Sequence, residues 1–217
     1  MFYFMTDIST GIGARFESCF QAYFPGFESH VDDGKHVPDF HNSLEGFWVE
    51  TKVGNKRWGP DLKHYQKDRF QDVEEPVVYC LGLHNFDDAT IKLAGKTDGQ
   101  IRRILKRNMK ILEVYLITQD VVNAVIDRET RVSEKGRKYC TMKRPIFRSI
   151  LSGKPFKRFG EPIISAESYY GYDENNLEIY REEDIKQTQV PIKGIVLDRE
   201  KDKAVVEYLK QIEIIRA

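Results

Sequence analysis

Apolar positions along the chain follow two different spacings, and these predict helices and strands in turn. Three-to-four spacing over 11–23 predicts a first helix. Alternation over 46–53 is sufficient to predict a strand, and the nearly continuous apolar run over 77–83 predicts a buried strand. Helical and strand patterns continue to alternate as far as residue 126, which predicts an α/β fold.

The same two spacings predict the remaining elements. Predicted strands cover 27–33, 37–40, 90–93, 111–118 and 190–197. Predicted helices cover 60–71, 98–109, 120–126, 141–151 and 199–211. We expect a core over 1–126 and an extension over 127–217 that packs on it. The extension is basic and helical at first and then becomes a small, acidic α/β part.

Charge is distributed unevenly, although the whole chain carries equal numbers of basic and acidic residues. Residues 100–160 hold 16 Lys and Arg against 5 Asp and Glu, a net charge of +11. Residues 1–99 carry a net charge of −6, and residues 161–217 a net charge of −5. A basic middle between acidic flanks indicates a surface that faces DNA. The alternative is a set of solvated helix faces.

Two acidic residues and a lysine are predicted to meet on adjacent strands. Asp39 lies at the end of the strand over 37–40, while Glu50 and Lys52 point to one face of the strand over 46–53. Carboxylates that converge repel each other unless a cation compensates their charge. Hard oxygen ligands suit Mg²⁺, which acidifies water and stabilises charge on a phosphate. The three residues therefore predict metal-dependent chemistry on phosphodiesters.

These residues carry a resemblance to a known superfamily. Pro38-Asp39 followed by Glu50-Thr51-Lys52 resembles the signature of the PD-(D/E)xK nucleases, which include type II restriction enzymes and archaeal Holliday junction resolvases. The predicted order also matches that core: an acid-bearing helix, strands that carry the Asp and the acid-x-Lys, a helix and a buried strand. The resemblance covers about residues 10–85 and is best to the Holliday junction resolvases. It implies a restriction-endonuclease-like mixed sheet flanked by helices.

The resemblance also implies roles for the matching residues. Asp39 and Glu50 would bind Mg²⁺, for which Mn²⁺ can substitute, and Lys52 would assist the attacking water. The carbonyl of Thr51 would add a metal ligand. The implied catalytic residues are Asp39, Glu50, Lys52, Glu17 and Gln66.

Two of these residues match less central positions of the superfamily. Glu17 lies in the first helix, where resolvase-like members place an extra metal-linked carboxylate. Gln66 resembles a Gln or Lys that follows the acid-x-Lys in several nuclease branches. Each acidic position also has an explanation without chemistry: Glu50 paired with Lys52 at the surface, Asp39 in a turn, and Glu17 as an exposed helix charge.

Basic and aromatic residues beyond the predicted site are candidates for DNA contacts. The loop after the strand over 46–53 can contact phosphates or stack on a base. The helix over 98–109 and a second basic segment after residue 135 would extend this surface into one groove, and binding would then depend strongly on salt. The expected DNA-binding residues are Lys56, Arg57, Trp58, Arg103, Lys106, Arg107, Lys110, Lys138, Lys143 and Arg144.

The expected function is that of a Mg²⁺-dependent DNA endonuclease that hydrolyses phosphodiester bonds. A branched-DNA (Holliday junction) resolvase is the alternative substrate class, and a non-cleaving nucleic-acid-binding or structural protein is the alternative of another kind. We expect a homodimer without membrane association. Three scattered cysteines and a poor signal-like N-terminus favour the cytoplasm. The five histidines show no metal-ligand spacing.

Overall fold

A computed structural model describes residues 3–24, 26–31, 37–63, 67, 69–87, 96–155, 161–164, 169–172 and 192–215. Within these residues the chain forms five helices and ten strands. The helices are α1 (Tyr3–Tyr23), α2 (Asp98–Asn108), α3 (Gln119–Glu129), α4 (Arg144–Ser152) and α5 (Lys203–Gln211). The strands are β1 (Glu28–Ser29), β2 (Phe40–Asn42), β3 (Phe47–Asn55), β4 (Asp61–Leu62), β5 (Val77–His84), β6 (Ile111–Thr118), β7 (Arg131–Val132), β8 (Lys138–Thr141), β9 (Tyr169–Tyr172) and β10 (Ile192–Asp198).

Seven of the described strands form one mixed sheet in the order β1-β2-β3-β5-β6-β10-β9. Strands β1, β2 and β3 pair antiparallel, whereas β3 and β5 run parallel. Strand β6 is antiparallel to β5, and β10 lies parallel to β6 with β9 antiparallel at the edge. The α/β class predicted from the sequence is therefore confirmed.

Helices cover both faces of this sheet, because successive side chains of a strand point in opposite directions. One face carries Val49 and Val78 and packs against α1 and α5; we call it the α1 face. The opposite face carries Tyr79 and Leu81 and packs against α3 and α4; we call it the α3 face. Strand β5 is buried at every position because both of its faces are covered.

A second, small sheet of β4, β8 and β7 lies over the α3 face. Leu62 of β4 and Cys140 of β8 join the core of that face. The helix predicted over 60–71 is therefore wrong for the described residues: Asp61 and Leu62 pair antiparallel with β8, and residues 67 and 69–72 lie in turns. Pro60, which fits the first turn of a helix, instead accepts a 2.9 Å hydrogen bond through its carbonyl from Met142 N.

Several predicted boundaries also need correction. Helix α1 begins at Tyr3, well before the predicted start at residue 11. The strand predicted over 27–33 is the two-residue β1, and the one predicted over 37–40 begins only at Phe40. Strand β2 extends to Asn42, and a hydrogen bond from Gly46 N to Asn42 O closes the turn to β3, so Asp39 precedes β2. The strand predicted over 90–93 lies outside the described residues.

Helix α2 packs on α1 and does not contribute to the core of the α3 face. Its buried residues Ile101 and Leu105 contact Ile8 and Ile12 of α1 in a small separate core. The helix predicted over 98–109 is confirmed in position, and Thr97 is its N-cap. In the described part of the chain, no helix is long and apolar enough to cross a membrane.

Candidate active site

The Asp39 carboxylate is held against β3 by Thr51. Its Oδ2 atom accepts hydrogen bonds from Thr51 N at 2.8 Å and from Thr51 Oγ1 at 2.7 Å. The β2–β3 register ends at the pair of Phe40 and Val49, so Thr51 N meets a side-chain acceptor where the ladder of backbone hydrogen bonds stops. The carboxylate thereby takes the place of a backbone carbonyl, and the side chain is fixed beside Glu50.

The Lys52 ammonium lies among three oxygen atoms that the sequence predicts as metal ligands. Its Nζ atom is 2.5 Å from Glu50 Oε1, 2.8 Å from the carbonyl oxygen of Thr51 and 3.9 Å from Asp39 Oδ2. These donors are the hard oxygens that Mg²⁺ prefers. They already surround one cationic group, so their chemistry fits a divalent ion. The predicted meeting of Asp39, Glu50 and Lys52 is confirmed as geometry.

Glu50 is fully buried, with no exposed surface. Two cations contact its Oε1 atom: Lys52, and Arg69, whose Nη1 lies 3.6 Å away. Burial raises the pKa of Glu50 above its ordinary value, although Lys52 and Arg69 oppose this rise and Asp39 adds to it. The loss of hydration therefore destabilises the ionised Glu50 carboxylate more than Lys52 and Arg69 stabilise it. A stronger positive charge at this point would favour the ionised carboxylate.

Arg69 belongs to the site, although it is not among the residues predicted from the sequence. It lies in the turn before β5, and its guanidinium is 5.1 Å from the centre of the Phe70 ring. Lys63, Lys67 and Arg69 are three cations in one polar segment, so nothing local shows which of them turns inward. Only the path of the turn brings Arg69 to Glu50.

Tyr79 is a second residue of the site that is not among those predicted from the sequence. It is opposite Glu50 in the β3–β5 register and has no exposed surface. Its hydroxyl has no hydrogen-bond partner among the described residues. Burial raises the pKa of Tyr79, and the negative charges of Glu50 and Asp39 raise it further. The phenol therefore stays protonated beside the two carboxylates.

Two histidines, His30 and His41, lie near Trp48 on the α3 face, on the side of β3 where β1 and β2 pair. Donor atoms of Glu28, His30 and His41 all fall within 4.8 Å of one another. The His41 ring stacks on Trp48 with 4.0 Å between centroids, and its Nε2 atom lies 2.7 Å from Glu75 Oε2. The absence of a metal-ligand spacing in the sequence did not indicate this approach of His30 and His41, because strand pairing brings the two residues together. Imidazole nitrogens suit zinc or nickel better than Mg²⁺, so this cluster does not support the magnesium prediction.

Of the two remaining predicted catalytic residues, the structure describes only Glu17. Glu17 is half-buried in α1, whose neighbouring Phe16 and Phe20 pack on the α1 face. Glu50 lies on the opposite face of the sheet, and the metal-linked role of Glu17 stays a prediction. Gln66 lies outside the described residues.

The structure separates the predicted DNA-binding residues into two groups. Four exposed cations belong to α2 or directly follow it, and α2 packs on α1: Arg103, Lys106, Arg107 and Lys110. The other residues lie on elements that pack over the α3 face or on the turn after β3: Lys56, Arg57, Trp58, Lys138, Lys143 and Arg144. Among these, Arg144 is half-buried and forms an ion pair with Glu113. Only the second group shares a face of the sheet with Glu50.

Comparisons with protein families, with curated proteins and with solved structures give no match for this chain. The geometry of the site therefore stands without support from a relative.

Proposed function

We propose that this protein is a Mg²⁺-dependent DNA endonuclease of the PD-(D/E)xK type. The observation that carries the proposal is the convergence of Asp39 Oδ2, Glu50 Oε1 and the Thr51 carbonyl oxygen around Lys52 Nζ. An apolar sheet gains nothing from two carboxylates and an ammonium at one point, since burying charges carries a large desolvation cost. A site for a divalent cation gives this arrangement a physical purpose.

The order of elements also supports the proposal. An acid-bearing helix, α1, precedes β2, whose preceding residue is Asp39, and β3 carries Glu50 and Lys52. The next long strand, β5, is buried and parallel to β3. The expected helix between β3 and β5 is the departure from the pattern, because the described part of that segment contains β4 and turns.

Each side chain of the site has a task in phosphodiester hydrolysis. Asp39, Glu50 and the Thr51 carbonyl would hold Mg²⁺, which supplies stabilisation of negative charge on the phosphate and acidification of water. Thr51 orients Asp39 through two hydrogen bonds. The Lys52 ammonium, beside both carboxylates, can donate to the attacking water or to a phosphate oxygen, and it stabilises the charge that develops there. Arg69 balances the buried charge of Glu50.

The test compares wild type with Asp39→Asn and Lys52→Ala on linear duplex, single-stranded and four-way-junction DNA, with Mg²⁺ and with EDTA. We expect wild type to cut at least one substrate only when Mg²⁺ or Mn²⁺ is present, and both variants to lose cleavage while they still bind DNA. Preference for the junction over the linear duplex would identify the branched-DNA alternative.

Matched controls separate the site from general charge effects. Asp72→Asn and Lys203→Ala make the same chemical changes at exposed positions that are not among the groups around Lys52 Nζ, and we expect them to cleave as wild type does. If wild type binds DNA and cuts none of the three substrates with either metal, the enzymatic proposal fails, and a non-cleaving nucleic-acid-binding protein is the better description.

A further inference from the structure

A cleft of about 610 Å³ lies beside the turn that follows β3. Its wall includes Trp58 from that turn, Tyr139 from β8 and Lys143 from the segment before α4. Trp58 is 59% exposed and Tyr139 39% exposed, so two of the five exposed large apolar side chains among the described residues line one cavity. This volume falls in the range that small-molecule and cofactor sites occupy.

The turn that presents Trp58 is held by its own backbone. The N–H groups of Trp58 and Gly59 both donate to Asn55 O, at 3.0 and 2.7 Å. Gly59 has a φ of +79°, and a Cβ atom there would lie 2.0 Å from Met142 O, so the turn rests directly against the segment after β8. The indole is therefore presented on a preformed support, which lowers the entropic cost of binding a ligand to it.

Cations lie beside the aromatic rings of the cleft. Lys143 Nζ is 5.6 Å from the centroid of the Trp58 ring, and Arg131 of β7 also lines the cavity. Aromatic rings that stack on bases, together with cations that contact phosphates, are the combination by which single-stranded nucleic acid is bound. The cleft has both components.

A buried carboxylate forms another part of the wall. Glu129, the last residue of α3, is 7% exposed and lines the cavity. Its Oε1 atom forms an ion pair with Arg128, whose Nε lies 3.6 Å away, but it accepts no hydrogen bond from any described residue. A buried acceptor without a hydrogen bond is costly even beside a cation. A ligand that brings N–H groups into the cleft would supply that hydrogen bond.

We propose that this cleft binds an unpaired guanine nucleotide of a DNA substrate, with Glu129 as the residue that selects the base. The inference rests on the proposed nuclease function, since it assumes that the ligand is DNA. Guanine presents N1–H and its amino group side by side, and these two donors match the two acceptor oxygens of one carboxylate. Cytosine and adenine place a donor beside an acceptor nitrogen, and thymine has a single N–H between two carbonyls.

The position of the cleft suits a strand that also reaches the candidate active site. The turn that carries Trp58 continues directly from β3, which carries Glu50 and Lys52. The elements that form the other walls, β8 and α4, pack over the same α3 face as Glu50. Stacking on Trp58 is available to every base and sets the overall affinity, whereas Glu129 distinguishes one base from the others.

The test measures equilibrium binding in EDTA, by fluorescence anisotropy of labelled short oligothymidines whose central base is G, A, C or T. We expect wild type to bind the guanine-containing strand about tenfold more tightly than the others, which is the scale of one good base contact. Trp58→Ala should weaken binding of all four strands by about tenfold or more, and Trp58→Phe should retain most of it. Glu129→Gln should remove the preference for guanine and keep the affinity for oligothymidine.

Glu134→Gln is the matched control, because it makes the same change at an exposed position in the turn between β7 and β8. Equal affinity of wild type for all four strands overturns the assignment of guanine. Unchanged binding in both Trp58→Ala and Glu129→Gln overturns the site itself.

The outcomes for the cleft and for the nuclease remain distinguishable. Guanine-selective binding that depends on Glu129, in a protein that cuts no DNA, supports the cleft and contradicts the nuclease. Mg²⁺-dependent cleavage with base-independent binding supports the nuclease and contradicts the cleft.

Discussion

Thr51 Oγ1 donates a 2.7 Å hydrogen bond to Asp39 Oδ2, and the backbone N–H of Thr51 donates a second hydrogen bond, of 2.8 Å, to the same atom. One residue of β3 therefore fixes a carboxylate that lies outside the paired part of β2. The carbonyl group of that residue points to the Lys52 ammonium instead. Thr51 thus connects the two sides of the candidate site through its side chain and its backbone.

Thr51→Val should remove the hydroxyl donor while it keeps the backbone donor, the backbone carbonyl and the branched shape of the side chain. We expect Mg²⁺-dependent cleavage to require about ten- to a hundredfold more Mg²⁺ or to slow by a similar factor, because residues that orient a metal ligand have effects of that size. Thr51→Ser retains the hydroxyl and should stay close to wild type. A Mg²⁺ titration of the cleavage rate measures the effect, and equal titrations for the Val and Ser variants would contradict this role.

Glu50→Gln should abolish cleavage and stabilise the metal-free protein at neutral pH. Burial raises the pKa of Glu50 in the folded state, so this carboxyl holds its proton to higher pH in the folded than in the unfolded chain. Wild type should then lose stability relative to Glu50→Gln as the pH rises above the ordinary Glu pKa of about 4.3. Below that pH both side chains are neutral, and the difference should be smallest.

Thermal melting of both proteins in EDTA, from pH 4 to pH 8, measures this difference. Asp39 is present in both and titrates in both, so the difference in melting temperature reports mainly on Glu50. A difference that stays constant or that shrinks as the pH rises would contradict the raised pKa.

The elements whose environment is local could be predicted from the sequence. Alternation in β3 reports one strand with two different faces, and the continuous apolar run of β5 reports burial on both sides. The proximity of Asp39, Glu50 and Lys52 could be predicted because a short turn joins β2 to β3. Strand β4 could not be predicted, since its two residues owe their conformation to β8, far along the chain.

The unpredicted members of the site have the same origin. His30 and His41 come close because β1 and β2 pair in a register that sets Glu28 opposite His41. Sequence spacing within one element cannot reveal a cluster that the pairing of two strands assembles. The sequence predicted one groove from two basic segments, and the structure separates them for a related reason. Net charge along the chain does not show that α2 packs on α1 while β8 lies over the α3 face.

Gly82 of β5 should resist substitution because α1 crosses the sheet there. A Cβ atom at this position would lie 2.6 Å from a ring carbon of Phe16, which is buried against the strand. We expect Gly82→Ala to lower the free energy of unfolding by about 1–3 kcal/mol through overpacking, as measured by urea denaturation. Gly99→Ala, where a Cβ would meet nothing within 4 Å, is the control. An equal change in the free energy of unfolding for the two substitutions would show that the Phe16 ring moves aside without cost.

The division of basic residues between two faces predicts unequal effects on DNA binding. Replacing Lys56, Lys138 and Lys143 by Glu alters the group that shares a face of the sheet with Glu50. Replacing Arg103, Lys106 and Arg107 by Glu makes the same change of charge on α2. We expect the first variant to weaken binding strongly and to reduce the dependence of log K on log salt by about 0.9 for each lost phosphate contact. The α2 variant should change this slope by less than about one such contact. Filter binding of a linear duplex in EDTA, over a series of NaCl concentrations, gives both slopes. If the α2 variant shows the larger decrease in the slope of log K against log salt, DNA lies along α2. That result would contradict a DNA path over the α3 face past Lys52.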